Sequence, residues 1–173
     1  MKKLTGILLL FLVVFATSCD SETPEKARVY YKSIIDKINV LTGDYEGDLI
    51  KSFDKFIPAE MDAKLTALKG YVKQLDEDFS KMEPFYGDAS LLDGGIDVVN
   101  AYKEAIPLYE AVVKNESTPQ SEYTEANSKI YKDLMKQIND KLNPVVDQNK
   151  VNSKVFGKMH NVKIVESTKV DSI

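Results

Sequence analysis

The chain of 173 residues contains one histidine, one cysteine and no tryptophan. The single histidine, His160, cannot supply the paired Glu-x-x-His motifs that di-metal centres in helical bundles require. For the same reason a zinc site with two histidine ligands is excluded. The single cysteine, Cys19, has no partner for a disulfide within the chain. We therefore expect no metal or cofactor, and a fold that is stabilised by its core alone.

Basic residues are nowhere clustered along the sequence. The chain has 23 Lys and Arg against 27 Asp and Glu, and no basic block exceeds two adjacent residues. Nucleic-acid-binding surfaces need clustered Lys and Arg, and so do polybasic membrane patches. The sequence therefore predicts no nucleic-acid partner and argues against a polybasic membrane patch.

Catalytic motifs are also missing from the sequence. It contains no phosphate-binding glycine loop and no Gly-x-Ser-x-Gly nucleophile elbow. Asp44, Glu46 and Asp48 alternate as calcium ligands do, but Leu49 and Lys55 stand where an EF-hand needs Gly and Glu. We expect no enzymatic activity and a surface position for the histidine; a hydrolase stays open as the alternative.

The first residues of the chain have the pattern of an export signal. Met1, Lys2 and Lys3 form a basic start, and an unbroken apolar run follows at residues 7–16. A basic start, an apolar core and small residues before a cleavage site define a secretory signal. The run is shorter than the ~20 apolar residues of a membrane-spanning helix. We therefore predict that residues 1–18 are a cleaved signal peptide.

The residues at the end of this signal resemble the bacterial lipobox. Ala16-Thr17-Ser18-Cys19 has small residues before a cysteine at the cleavage position. The resemblance implies that Cys19 becomes the first mature residue, carries a covalent diacylglycerol and acyl lipid, and anchors the protein in a bilayer. A secreted protein with a chance cysteine is the alternative.

The location within the envelope depends on the residues after the cysteine. Asp20 directly after Cys19 resembles an inner-membrane retention signal, whereas the acidic patch formed by Asp20 and Glu22 resembles a surface-export signal. An ordinary solvated tether is a third interpretation. We favour the outer membrane or cell surface, with the periplasmic face of the inner membrane as the alternative.

The remaining sequence contains four long amphipathic segments. They span residues 24–56, 58–83, 90–115 and 119–160, and their apolar residues recur every three or four positions. Short links between such helices predict an all-α, up-down antiparallel four-helix bundle. The predicted domain organisation is a tether at residues 19–24, the bundle at 25–160 and a loose tail at 161–173.

Glycines and prolines interrupt three of these segments. Gly43 and Gly47 weaken the first, which is either one continuous helix or two helices broken at residues 42–44. Pro107 and Pro144 lie inside the third and fourth segments, where proline removes a backbone hydrogen bond and is expected to bend the helix.

Four polar or amphipathic positions are candidates for function. Asn149 and Asn152 interrupt the apolar seam of the fourth segment; they specify register, line a polar pocket, or lie beyond the bundle. Tyr30 and Tyr71 lie off the apolar stripes and are candidate exposed anchors for a partner. Packing at the edge of the core is the alternative for both tyrosines.

The mature chain as a whole resembles small helical lipoproteins of Bacteroidota and spirochaetes. The local resemblance is confined to Gln148 and residues 156–161, with Gly157 where relatives tend to have alanine. It implies exposure at the envelope and no catalytic residues. We therefore expect an interaction or structural module at the envelope. The alternative is a lipoprotein that binds a small molecule or ion in a pocket near residues 144–152.

Overall fold

The computed structural model describes residues 21–163, which form an all-α bundle. Helix α1 (Pro24–Val40) continues through a π-helical segment (Leu41–Tyr45) into α2 (Glu46–Phe53). Three further helices follow, α3 (Pro58–Phe79), α4 (Ser90–Glu116) and α5 (Glu125–Met159). Because α1, the π segment and α2 are continuous, the bundle has four helical rods, and the predicted fold class is confirmed.

Contacts between neighbouring rods show that they run in opposite directions. As the residue number rises along one rod, it falls along its neighbour in each of these pairs: Lys37–Asp78 and Asp48–Lys64, Lys103–Asp76 and Glu110–Lys69, Lys141–Glu104 and Asn115–Asn127, Tyr30–Phe156 and Phe53–Tyr131. The exposed ion pairs among them contribute little stability each, so the buried apolar face of every helix must stabilise this arrangement.

The first rod does not break at its glycines. The π segment contains Gly43 and adds a residue to the helical turn. Ile38 and Leu41 are buried before this turn, and Leu49 and Phe53 are buried after it. The wider turn therefore keeps the apolar residues of both α1 and α2 directed at one core.

The fourth rod begins later than the sequence pattern predicts. Residues 119–123 form turns, with the Glu122 amide donating to the Pro119 carbonyl at 2.8 Å. Thr124 then caps α5, and the side chain of Asn127 accepts a hydrogen bond from the Thr124 amide at 3.0 Å. This reciprocal cap satisfies amides that the first turn leaves unpaired, which fixes the start of α5 here rather than at the proline.

Neither internal proline ends its helix. α4 continues through Pro107 and α5 through Pro144, and both proline rings are exposed.

The first residues of the predicted tail pack against the bundle, because Val162 is buried and its amide donates to the Gly157 carbonyl at 2.8 Å. The remainder of that tail, the predicted signal peptide and Cys19 lie outside the described residues.

Candidate functional site

Asn149 and Asn152 of the fourth rod lie inside the bundle, so the interpretation that they lie beyond it is wrong. Asn149 is only 4% exposed and packs against Gly94 of α4. Asn152 donates a hydrogen bond to the Ser90 carbonyl at 3.3 Å and accepts one from Gln148 at 2.9 Å. Because α5 continues to Met159 and runs antiparallel to α4, these amides face the beginning of α4.

Glycine at position 94 is what allows this close approach. A β-carbon on Gly94 would lie 2.8 Å from Asn149 Oδ1 and 2.8 Å from Asn152 Nδ2. Both distances are too short for a real contact between non-bonded carbon and a polar atom. The absence of a side chain therefore brings the two asparagines against the α4 backbone.

An open groove lies between α4 and α5 beside these residues. Its volume is about 350 Å³. Pro144, Val145 and Ala101 supply an apolar floor, whereas Asp97, Asn100, Glu104, Lys141, Gln148 and Asn149 supply polar groups. Glu104 and Lys141 bond to each other across the groove at 2.9 Å. Six of the ten lining residues are polar, so the groove offers hydrogen-bonding groups to a polar ligand more than it offers apolar surface.

Asn149, in the wall of this groove, has a buried polar atom without a hydrogen bond to any described residue. Its Oδ1 atom is buried and has no hydrogen-bond partner among the described residues. A second such atom is Ser90 Oγ at the first turn of α4. Buried polar groups are nearly always paired with protein or ordered water, so this amide oxygen, enclosed against Gly94, is an exception in the wall of the groove.

A second polar cluster joins the two ends of the described chain. The His160 ring is 8% exposed, so its predicted surface position is wrong. Its Nδ1 lies 2.5 Å from Glu22 Oε1, and its Nε2 lies 2.8 Å from Asp88 Oδ2. The imidazole therefore links the chain before α1, the turn before α4 and the end of α5.

The environment of this histidine favours its charged form. Burial alone would lower the pKa of His160, but hydrogen bonds to Glu22 and Asp88 outweigh it and raise the pKa above its usual value. For Asp88, burial would raise the pKa, but hydrogen bonds from Ser90 and His160 lower it. A protonated imidazole donates through both nitrogens, which suits two carboxylate acceptors.

Aromatic rings enclose the histidine on its other faces. The centroid of the His160 ring lies 5.1 Å from that of Phe85 and 4.3 Å from that of Phe156. Tyr30 extends the cluster, with its centroid 5.8 Å from that of Phe156. These rings hold the imidazole in one orientation, so the cluster is a rigid connection rather than an open site.

The chain before α1 is held against the same end of the bundle. The carbonyl of Ser21 accepts hydrogen bonds from Lys26 Nζ at 3.0 Å and from the Tyr86 hydroxyl at 3.1 Å. Together with the Glu22–His160 contact, these bonds fix residues 21 and 22 of the predicted tether to the bundle.

A third polar cluster lies in the core next to the π segment. The hydroxyls of Tyr102 and Tyr109 on α4 both donate to the Glu46 carboxylate. Both tyrosine side chains are fully buried. Burial and the adjacent carboxylate raise the pKa of both hydroxyls, so they remain neutral donors. The arrangement gives both core hydroxyls a hydrogen-bond partner.

Tyr30 and Tyr71 are partly buried, which corrects the prediction that they are exposed. The Tyr30 hydroxyl donates to the Glu83 carbonyl at 3.0 Å, and burial together with the charges of Asp88 and Asp93 raises its pKa to about 12. The Tyr71 ring stacks on Tyr45 at 4.3 Å, and its hydroxyl donates to the Lys37 carbonyl at 3.3 Å. Both tyrosines pack at the edge of the core.

Within residues 21–163, no three His, Cys, Asp or Glu side chains are grouped so that they could hold a metal ion. No helix of that range is long and apolar enough to cross a membrane. Comparison of the chain with protein-family models, with curated proteins and with solved structures gave no match. The class that the fold defines is an all-α bundle with a groove between α4 and α5.

Proposed function

We propose that this chain is a bacterial lipoprotein whose helical bundle serves as a binding or structural module at the cell envelope. The observation that carries the proposal is the lipobox-like Ala16-Thr17-Ser18-Cys19 at the end of an apolar run. Only Asp20 separates Cys19 from Ser21, whose carbonyl is bonded to the bundle. The lipid would therefore be attached directly beside a folded domain.

Expression of the full chain in a bacterium grown with labelled palmitate tests this proposal. We expect label in the mature protein, a mature N-terminus at Cys19 by mass spectrometry, and recovery in the membrane fraction. The Cys19→Ser variant is expected to lose the label and the membrane association, because it lacks the thiol to which the lipid is attached. Each methylene of an acyl chain that is buried in the bilayer contributes about 0.8 kcal/mol to anchoring, and the variant would have no acyl chains. An unlabelled wild-type chain in the soluble fraction would contradict the proposal.

A second candidate function is the binding of a small polar ligand in the groove between α4 and α5. The observation that favours it is the groove of about 350 Å³ itself, whose wall carries carboxylate, amide and ammonium side chains. The carboxylates and amides along the groove are suited to hydroxyl groups, which accept and donate hydrogen bonds. A neutral polyol or sugar is the ligand class that fits.

Thermal denaturation with glucose, maltose and N-acetylglucosamine tests the groove. A ligand that binds only the folded state raises the melting temperature of the wild-type protein. The Asn100→Ala and Gln148→Ala variants, which remove exposed groove side chains, are expected to reduce this rise. The Lys132→Ala variant changes an exposed residue outside the groove and is the control. Equal responses in all variants would argue against this second function.

A further inference from the structure

The last turns of α5 present an unusual surface to solvent. Lysine followed by an apolar residue occurs three times at a spacing of four: Lys150-Val151, Lys154-Val155 and Lys158-Met159. All six residues are exposed. The apolar members Val151, Val155 and Met159 are 52%, 46% and 61% exposed. Because residues four apart share a helical face, the lysines form one strip and the apolar residues form a second strip beside it.

This surface is separate from the side of α5 that packs in the bundle. Asn149, Ser153, Phe156 and His160 are buried, and they project from the opposite side of the same turns. At 3.6 residues per turn, the two exposed strips together cover about half of the circumference of the helix. The bundle therefore uses one half of these turns for its core and leaves an amphipathic half uncovered by described residues.

The charge of this region is opposite to that of the chain. Residues 148–163 contain four lysines and no acidic residue, whereas the whole chain has a formal net charge of −4. Lys150 bonds to Asp147 at 2.9 Å and Lys154 is also engaged in an interaction, so the basic character of the patch rests on the excess of lysines over acidic residues in these turns and not on unpaired lysines. The absence of a basic block in the sequence is thus misleading, because helical spacing collects separate lysines into one patch.

The patch lies next to the start of the bundle, close to the point where the proposed lipid anchor is attached. His160, one residue beyond α5, bonds to Glu22 at 2.5 Å. Cys19 lies three residues before Glu22, a span of at most about 11 Å for extended chain. An acyl anchor on Cys19 would therefore bring a bilayer within reach of the last turn of α5.

We propose that the last turns of α5 rest on an anionic phospholipid bilayer beside the lipid anchor. Lys150, Lys154 and Lys158 face the phosphate groups, and Val151, Val155 and Met159 contact the boundary between headgroups and acyl chains. A helix with lysines on one strip and apolar side chains on the other is typical of interfacial binding, and anionic lipids attract such lysines. This inference rests on the lipid anchor proposed above.

A single tryptophan reports on this contact, because the chain has none of its own. The full chain carrying Met159→Trp is purified in its lipidated form and reconstituted into vesicles of phosphatidylcholine and phosphatidylglycerol with brominated acyl chains. We expect about a twofold loss of tryptophan emission, because the side chain lies at the bilayer boundary. The control is Ile130→Trp, which is equally lipidated and 48% exposed near the other end of α5; its emission should not change.

The role of the lysines is tested in the same vesicles. In the Met159→Trp background, the double variant Lys154→Gln and Lys158→Gln is expected to lose most of the quenching. Lys129→Gln with Lys132→Gln removes the same charge from exposed residues far from the patch and should leave it unchanged. Omission of phosphatidylglycerol should act like the first double variant. Equal quenching in all of these samples would overturn the assignment of the lysines to anionic headgroups.

Two outcomes separate this inference from the proposed anchor. A vesicle-bound, lipidated chain whose Met159→Trp reporter is not quenched overturns the inference and leaves the anchor standing. A chain that does not bind vesicles at all, or that binds equally after Cys19→Ser, overturns the anchor itself. If the reporter in the Cys19→Ser chain is already shielded from acrylamide in buffer, another part of this chain, such as residues 164–173, covers the patch and the inference is also overturned.

Discussion

At the scale of single residues, His160 connects three separate parts of the chain through one ring. Its two nitrogens contact Glu22 and Asp88, and its faces contact Phe85 and Phe156. Charge-assisted hydrogen bonds of this kind are shorter and stronger than neutral ones. The residue therefore stabilises the docked tether and the turn before α4 together.

Replacement of His160 is expected to cost stability in a pH-dependent way. The variant His160→Phe keeps an aromatic ring and removes both hydrogen bonds, so we expect a loss of about 1–3 kcal/mol near pH 6 in urea denaturation. The pKa of His160 is raised in the folded state. The stability that protonated His160 contributes to the folded state is therefore complete below the pKa of the unfolded chain, about 6.5. It decreases as the pH rises through the higher pKa of the folded state. A difference between variant and wild type that is constant from pH 6 to 9 would contradict this assignment.

Gly94 gives a second prediction at this scale. The Gly94→Ala variant is expected to destabilise the bundle by about 1–3 kcal/mol, because the new methyl group would clash with the side chains of Asn149 and Asn152. Gly70→Ala is the matched control, since it lies in α3 with open space around it. Alanine there should stabilise by about 0.5–1 kcal/mol through helix propensity. Thermal denaturation of both variants gives the comparison, and two changes of the same sign would contradict it.

At the scale of elements, the π segment aligns the first rod with α4. Directly after this segment, Glu46 reaches both Tyr102 and Tyr109, which are one helical repeat of seven apart. Tyrosine hydroxyls in a core need partners, and this carboxylate serves both. The wider turn thus joins two buried donors on one helix to one acceptor on another.

The Glu46→Ala variant tests this link between the rods. It leaves two buried hydroxyls without a partner, and we expect a loss of about 2–4 kcal/mol in urea denaturation. In a background with Tyr102→Phe and Tyr109→Phe the same substitution should cost much less, because no donor remains unpaired. Glu77→Ala, at an exposed carboxylate, should change stability by less than about 0.5 kcal/mol. Equal costs in the two backgrounds would show that the carboxylate acts independently of the tyrosines.

At the scale of the whole molecule, the short and docked tether would fix the orientation of the bundle at the membrane. Ser21 is bonded to Lys26 and Tyr86, so the bundle begins two residues after the predicted lipid. A flexible tether of many residues would allow the bundle to rotate freely. The structure leaves little chain for such rotation.

A tether insertion tests this consequence. Ten Gly and Ser residues inserted after Asp20 are expected to leave lipidation and membrane recovery unchanged, since the lipobox-like residues are kept. The emission of the Met159→Trp reporter in brominated vesicles should be quenched less, because the patch on α5 is no longer held at the surface. Unchanged quenching would mean that the patch binds the bilayer independently of the tether.

Much of the architecture could be predicted from the apolar spacing alone. Segments 58–83 and 90–115 match α3 and α4 closely, because a stripe with spacings of three and four leaves a helix as the only way to bury those side chains. The start of α5 could not be placed in the same way, since its boundary depends on the cap formed by Thr124 and Asn127. In the sequence, Pro119 and Thr124 are both plausible starting points for this helix. The hydrogen bonds of the cap, which form only in the folded chain, place the start at Thr124.

The candidate sites were less predictable. Asn149 and Asn152 are visible as polar residues in an apolar seam, but their close packing against α4 depends on Gly94, which lies more than fifty residues earlier. The partners of His160 are still more distant in sequence, at positions 22 and 88. The patch on α5 is predictable from the sequence, because lysines four residues apart share one face of a helix. A search for adjacent basic residues does not detect this spacing.

The sequence by itself determined the helical class, the number of rods and the lipobox-like start, because each is encoded in residues that are close together. The tertiary structure alone decided which polar groups are paired, which are enclosed and which face solvent. Pairing depends on distances of about 3 Å between residues that are far apart in the chain. Such distances exist only once the rods have packed, and for this reason His160, the Glu46 carboxylate and the amphipathic patch acquire their roles only in the folded bundle.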